Sequence, residues 1–130
     1  MTTSIVNCLF VGAGGALGAI SRYLLGLIPM KAAGAFPMTT LIINVLGAFC
    51  IGLVVALAGR AGGLDPRLVL LLKAGFCGGF TTFSTYSLET VTLCQNGRWG
   101  LAALYVALSV LLCLAAVLGG EAAGSKFLSA

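Results

Sequence analysis

Apolar residues run through the chain in four long blocks separated by short polar or turn-rich joints, and this pattern predicts four membrane-crossing helices. The blocks extend from about Ser4 to Ile28, Met38 to Ala58, Pro66 to Cys94 and Leu101 to Gly119. Pro29 and Pro37 bracket the first joint, which holds Lys31 and Gly34, because proline ends one helix and is tolerated at the start of the next. The second joint, Gly59–Pro66, is turn-rich and charged, and its Asp65-Pro66 pair reads as a helix start. Gln95-Asn-Gly-Arg98 closes the third block as a polar turn, and Trp99 follows where an interfacial aromatic anchor belongs.

The third block breaks the pattern. It is longer than a bilayer requires, is interrupted by Gly75, Gly78 and Gly79, and then turns rich in hydroxyls at Thr81, Thr82, Ser84, Thr85 and Ser87. Irregular backbone at membrane depth persists only where protein, ions or water satisfy its N–H and C=O groups. A broken helix at a functional site is the expectation for this stretch.

Polar positions elsewhere fall on defined faces. Gly14 and Gly18 have the small-xxx-small spacing that lets helices approach closely in lipid, while a phosphate-cradling loop would need a preceding strand and a following Lys-Ser/Thr. Thr40, Asn44, Ala48 and Gly52 recur every fourth residue and share one face of the second helix. Asn44 there is either interhelical glue or a ligand contact. Tyr105, Ser109 and Cys113 form a similar stripe on the fourth helix, available for packing or for meeting the hydroxyls of the third. Arg22 either snorkels to the interface or attracts an anion; Glu89 either marks an ion pathway or satisfies a neighbouring hydroxyl or amide. The tail with Glu121 and Lys126 reads as a frayed end.

Composition agrees with a bilayer setting. Of 130 residues, 60% are hydrophobic and 8% charged, against roughly a quarter charged in soluble domains, and the mean hydropathy is +1.15. This length fits one four-span domain over residues 1–130, with no separate soluble part. The net charge of +4 comes from basic residues scattered singly, so nucleic acid is not an expected partner. Cys8, Cys50, Cys77, Cys94 and Cys113 are widely spaced in a chain without histidine, which gives no zinc or redox motif and reads as apolar packing. The N-terminus lacks a basic start and reads as a retained first helix rather than a cleaved signal.

Charge also bears on orientation. Four spans put Arg60, Arg67 and Lys126 on one side and Lys31, Arg98 and, close to it, Arg22 on the other. Topology follows Lys/Arg asymmetry, and here the sides nearly balance. Such a chain can insert both ways and pair with itself as an antiparallel two-fold dimer.

The central stretch carries the chemistry. A broken helix frees amides that can hold an anion and carbonyls that can hold a cation. Phe80, Phe83 and Tyr86 interleave with the hydroxyls, and a ring presented edge-on offers its positive rim to an anion without a full charge. The alternative is a packed aromatic face with hydroxyls bonded back to the preceding turn.

Three segments carry a resemblance: Gly15-Ala-Leu-Gly-Ala-Ile-Ser-Arg22-Tyr23, Pro37-Met-Thr-Thr40-Leu-Ile-Ile-Asn44, and Gly75-Phe-Cys-Gly-Gly-Phe-Thr-Thr-Phe-Ser-Thr-Tyr-Ser-Leu-Glu89. In order and spacing the chain resembles the Fluc (CrcB) family of fluoride channels. The resemblance implies an all-α membrane protein of four transmembrane helices with a break in the third, assembled as an antiparallel, dual-topology homodimer in the cell (inner or plasma) membrane. It implies passive fluoride export that lowers cytoplasmic fluoride, with no enzymatic activity and no organic cofactor. A structural sodium ion at the dimer centre would be held by backbone carbonyls matching Gly78 and Thr81. The pore aromatics match Phe83 and Tyr86, the pore amide Asn44, and the polar track of the fourth helix Tyr105, Ser109 and Cys113. Ser84, Thr85 and Thr40 match nearby hydroxyl positions, Arg22 a first-helix arginine and Glu89 a third-helix glutamate. The chain departs from the family at Tyr86, where phenylalanine is common, at Cys113, which replaces a hydroxyl residue, and at Met38-Thr39, where a glycine often precedes the threonine. Two other readings compete: a proton-coupled small multidrug-type transporter, which wants an acid in the first helix that is absent here, and a non-transporting packing subunit.

Overall fold

The computed structural model describes residues 2–28, 36–59 and 63–127; the expected first joint with Pro29, Lys31 and Gly34, and Arg60 of the second, lie outside the described residues. Every regular element among the described residues is helical. Helix α1 is Thr2–Gly26 and α2 is Met38–Ala58. The third span opens with α3, a composite of an α-turn Pro66–Val69, a π-helix Leu70–Cys77 and a last α-turn Gly78–Phe80. After the break come α4, Phe83–Gln95, and α5, Trp99–Phe127. Four segments, Thr3–Gly26, Met38–Ala58, Pro66–Gln95 and Trp99–Lys126, are long and apolar enough to cross a membrane.

The ends follow from local chemistry. Asp65 caps α3, its Oδ1 accepting from the N–H of Arg67 at 2.8 Å, and Pro66 fills the first helical position, where a missing N–H costs nothing. The turn after α4 places Gly97 at φ 73°, and the N–H groups of Gly97 and Arg98 close onto the Cys94 and Leu93 carbonyls, both at 2.9 Å. That is a Schellman closure, which needs a left-handed residue.

Two expectations about span ends are corrected. The first helix stops at Gly26, with Leu27 and Ile28 in a turn rather than in the helix. The fourth does not end at Gly119; the tail holding Glu121 and Lys126 is helical to Phe127. The physical reason is a close crossing with α2: a Cβ on Gly120 would run into the Phe49 carbonyl, and one on Gly124 would lie 2.7 Å from the Ala56 Cβ. In lipid, such backbone approach supplies the packing that glycine's weak helix propensity does not.

The helices pack in two close pairs, α1 with α3 and α2 with α5, and α4 leans on α5. In the first pair Gly14 and Gly18 face Gly75 and Gly79, so closely that a Cβ on Gly75 would lie 2.8 Å from the Gly14 Cα. The π-helix carries Gly75 into this contact, and the α-turn Gly78–Phe80 separates it from the break. Below the break, Leu41, Leu93, Ala102 and Tyr105 form a buried cluster joining α2, α4 and α5. Of the cysteines, Cys77 is buried as a packing residue, whereas Cys8 is exposed on α1.

The glycine crossing makes a paired prediction. A methyl at Gly14 meets the Leu71 carbonyl, while one at Gly12 meets nothing within 4 Å. Gly14→Ala should therefore lower the detergent melting temperature, at a cost of about 1–3 kcal/mol from overpacking. Gly12→Ala should leave it unchanged, and equal melting of the two variants would remove the crossing as the source.

Candidate functional site

The third span is broken at two residues. Thr81 lies at φ −77°, ψ 158° and Thr82 at φ −147°, ψ 105°, both extended. In a continuous helix the N–H of Thr82 would bond to Gly78 O and that of Thr85 to Thr81 O. Instead the Thr82 N–H donates to Asn44 Oδ1 at 2.8 Å, and the Thr85 N–H donates to Thr82 Oγ1 at 3.2 Å. The carbonyls of Gly78 and Thr81 thus lose their regular donors.

Asn44 serves both sides of the gap, since its Nδ2 also donates to Thr82 O at 3.2 Å. The side-chain amide acts as a strand edge would, pairing the N–H and the C=O of one residue. Both readings of Asn44 retain a basis: it is interhelical glue, and it also lines a cavity. Thr82 was missing from the expected site set, although it is the partner of Asn44 and the cap of α4. The signal for it was a Thr-x-x-Thr spacing directly after the glycines, which is a helix start. Its hydroxyl donates to Thr85 Oγ1 at 2.9 Å, with Ser84 Oγ at 3.4 Å.

Cavities flank the break on two sides. A polar one of about 510 Å³ is lined by Arg22, Thr40, Thr82, Thr85 and Glu89, together with Tyr23 and Thr39, which sequence reasoning passed over. A second, of about 390 Å³, is lined by Asn44, Thr81, Phe83, Tyr86, Ser109 and Cys113. Asn44 lines one and Thr82 the other, so their hydrogen-bonded pair forms the partition.

Arg22 turns inward rather than toward an interface, its Nε donating to Gly79 O at 3.1 Å. This contact brings α1 to the third span one turn before the break. Glu89 accepts from Thr40 Oγ1 at 2.9 Å and from the Tyr105 hydroxyl at 2.8 Å. The stripe on the fourth helix therefore divides: Tyr105, with no exposed surface, points its hydroxyl to Glu89, while Ser109 and Cys113 line the second cavity. Ser109 Oγ is buried and makes no hydrogen bond.

The aromatic rings form a row. Phe83 and Tyr86 have centroids 5.4 Å apart, Tyr86 and Tyr105 5.2 Å, and Phe36 meets Tyr105 edge-on at 5.5 Å. Phe83 is 79% exposed on the single chain, which puts its ring at an outer face beside the cavity. Phe80 is instead buried and stacked on Phe76, so it belongs to packing.

Comparison with known proteins bears on the same residues. The family described as "CrcB-like protein, Camphor Resistance (CrcB)" matches residues 9–121. A "Fluoride-specific ion channel FluC" of Agrobacterium fabrum is 43% identical over 121 residues, covering 92% of this chain and 97% of the relative. Proteins of the same description from Cereibacter sphaeroides and Koribacter versatilis are 48% and 44% identical, each over 120 residues, covering 92% of this chain and 94% and 95% of themselves. The matched segment takes in the glycine crossing, the Asn44–Thr82 partition and both cavities, and on that footing the chain belongs to the CrcB family.

Proposed function

We propose that the protein is a fluoride-specific channel that lets fluoride leave the cell passively and so lowers its cytoplasmic level. The observation that carries this reading is the break at Thr81-Thr82, held open between two cavities by Asn44. Relatives described as fluoride-specific channels cover nearly the whole chain. Four apolar spans make the chain a multi-pass membrane protein.

Fluoride is small and strongly hydrated, so a narrow path must replace its water with other donors while keeping each contact weak enough to release it. On the polar side, Arg22 and Thr85 draw the ion toward the break, the guanidinium being partly occupied by the Gly79 carbonyl, and Ser84, with its Oγ 3.4 Å from Thr82 Oγ1, adds a hydroxyl at the break itself. On the other side, Asn44, Ser109, Cys113 and the ring edges of Phe83 and Tyr86 line the path. The unpartnered Ser109 hydroxyl supports this direction, because a buried hydroxyl without a partner costs free energy unless a ligand takes its proton. Thr40, Glu89 and Tyr105 stand behind the path as a bonded network.

The working unit in this proposal is an antiparallel homodimer of dual topology. Phe83 and Ser84 are exposed around the break in the single chain, as surfaces awaiting a partner would be. A two-fold axis would double every contact. The Gly78 and Thr81 carbonyls, whose regular donors are engaged elsewhere, suit a structural sodium ion, and a second copy would bring the same pair again. Bound there, sodium would supply positive charge that holds the two breaks together.

Liposomes loaded with fluoride and containing the purified protein test the reading with a fluoride electrode. Efflux should be electrogenic and indifferent to an imposed proton gradient; strict proton dependence would point to a coupled transporter, and no efflux would end the proposal. Phe83→Ile, which removes the ring edge but keeps apolar bulk, should cut fluoride flux at least about tenfold, the equivalent of roughly 1.4 kcal/mol in barrier, with unchanged elution of the assembled protein. Wild-type flux in that variant would take the ring out of the mechanism. Exchange of sodium for a larger monovalent cation during purification and assay should slow efflux, and restoring sodium should recover it.

A further inference from the structure

Cys113 lines the cavity of about 390 Å³ beside the break, together with Asn44, Phe83 and Tyr86, and it is half-buried there. The other thiols are placed differently: Cys77 is buried, Cys8 is exposed on α1, Cys50 is half-buried on α2, and Cys94 packs against the Leu41 cluster. One helical turn before Cys113, and so on the same face of α5, Ser109 is only 7% exposed, lines the same cavity and has no hydrogen-bond partner for its Oγ. A buried hydroxyl in that state favours whatever acceptor enters. A sulfur ligand and an uncommitted proton donor therefore face one space.

Sulfur is a soft ligand and selects soft cations, whereas a structural zinc asks for a closed tetrahedral set of ligands. Among the described residues no three Cys, Asp or Glu side chains come together to hold a metal, so such a set is not formed. A soft cation of linear coordination needs less. It takes one thiolate and keeps a halide on its other side. We propose that Cys113 is a binding site for a thiophilic cation of this class, with mercury(II) as its probe, and that the metal held there obstructs the ion path. With mercury(II) chloride the step is a ligand exchange: an S–Hg bond forms, one Hg–Cl bond breaks, the thiol proton and one chloride leave, and no electron changes hands. The chloride kept on the metal is an acceptor for the free Ser109 hydroxyl. The bound group shares the cavity with the Asn44 amide and the rings of Phe83 and Tyr86, on which the fluoride reading depends. The obstruction rests on that reading; the metal site does not.

Two measurements test the site, both on the full chain freed of reductant and treated with mercury(II) chloride. In crystals of the treated protein, an anomalous mercury peak should lie at bonding distance from Cys113 Sγ; the lack of a peak there overturns the site, whether or not the protein conducts. In liposomes, each protein is compared with its own untreated rate. Fluoride efflux through the wild type and through Cys8→Ser should fall at least about tenfold, as plugging a narrow path requires, and should return when excess 2-mercaptoethanol strips the metal. Cys113→Ser, which offers the metal no thiolate, should keep more than about half of its own rate. Equal inhibition of Cys113→Ser and wild type places the effect at another thiol and overturns the proposal, and a peak at Cys113 with undiminished wild-type efflux overturns the obstruction. If the untreated protein conducts no fluoride, the channel reading fails and the peak alone decides the site. Should Cys113→Ser not yield folded protein, the wild type decides: a peak at Cys113 together with reversible loss of efflux supports the proposal, and the lack of either overturns it.

Discussion

A side-chain amide paired with one residue's backbone makes the rest of this molecule possible. A helix interrupted inside a bilayer leaves N–H and C=O groups that lipid cannot satisfy, at several kcal/mol each. Asn44 takes both groups of Thr82, and the Thr82 hydroxyl then takes the N–H of Thr85 so that α4 can begin. Two residues of extended chain are thereby stabilised with one amide and one hydroxyl. No charge is spent on the task.

The frame around that pairing is built for close approach. Gly14, Gly18, Gly75 and Gly79 bring α1 against α3 with no side chain between them, and Gly52 and Gly120 do the same for α2 and α5. Because α2 is clamped along its length to α5, Asn44 is held at a fixed height opposite the break. The Arg22 contact with the Gly79 carbonyl then ties α1 to the last turn of α3. Rigid helices thus carry an irregular segment, which is the arrangement an ion path needs if its donors are to be aimed before the ion arrives.

The polar groups divide into those already bonded and those still free to donate. Thr82 gives its hydroxyl proton to Thr85 Oγ1, Thr40 and Tyr105 give theirs to Glu89, and Thr81 Oγ1 bonds back to the Cys77 carbonyl at 2.9 Å. Ser109 is left without a partner in a cavity lined by aromatic rings and a thiol. Weak, uncharged donors of this kind can replace water around an anion without trapping it. Membership of the CrcB family and a cavity of this chemistry point in the same direction.

Much of the architecture was legible in the residues alone. Hydropathy marks the spans, Asp65-Pro66 and Gln95-Asn-Gly-Arg98 mark ends, and Gly78-Gly79 followed by clustered hydroxyls marks the interruption, since each rests on local propensity or on a period that neighbouring residues express by themselves. The four-residue repeat also put Asn44 on a polar face before any partner was visible. What the repeat could not say is which hydroxyls are spent and which are free. Tyr105, Ser109 and Cys113 are equivalent along their own helix, yet Tyr105 meets the Glu89 carboxylate of α4 while Ser109, a turn further on, faces the cavity beside the break. The helical tail beyond Gly119 and the role of Thr82 were hidden for the same reason: each depends on a contact with α2, far away in sequence, and only the packed helices bring such partners together.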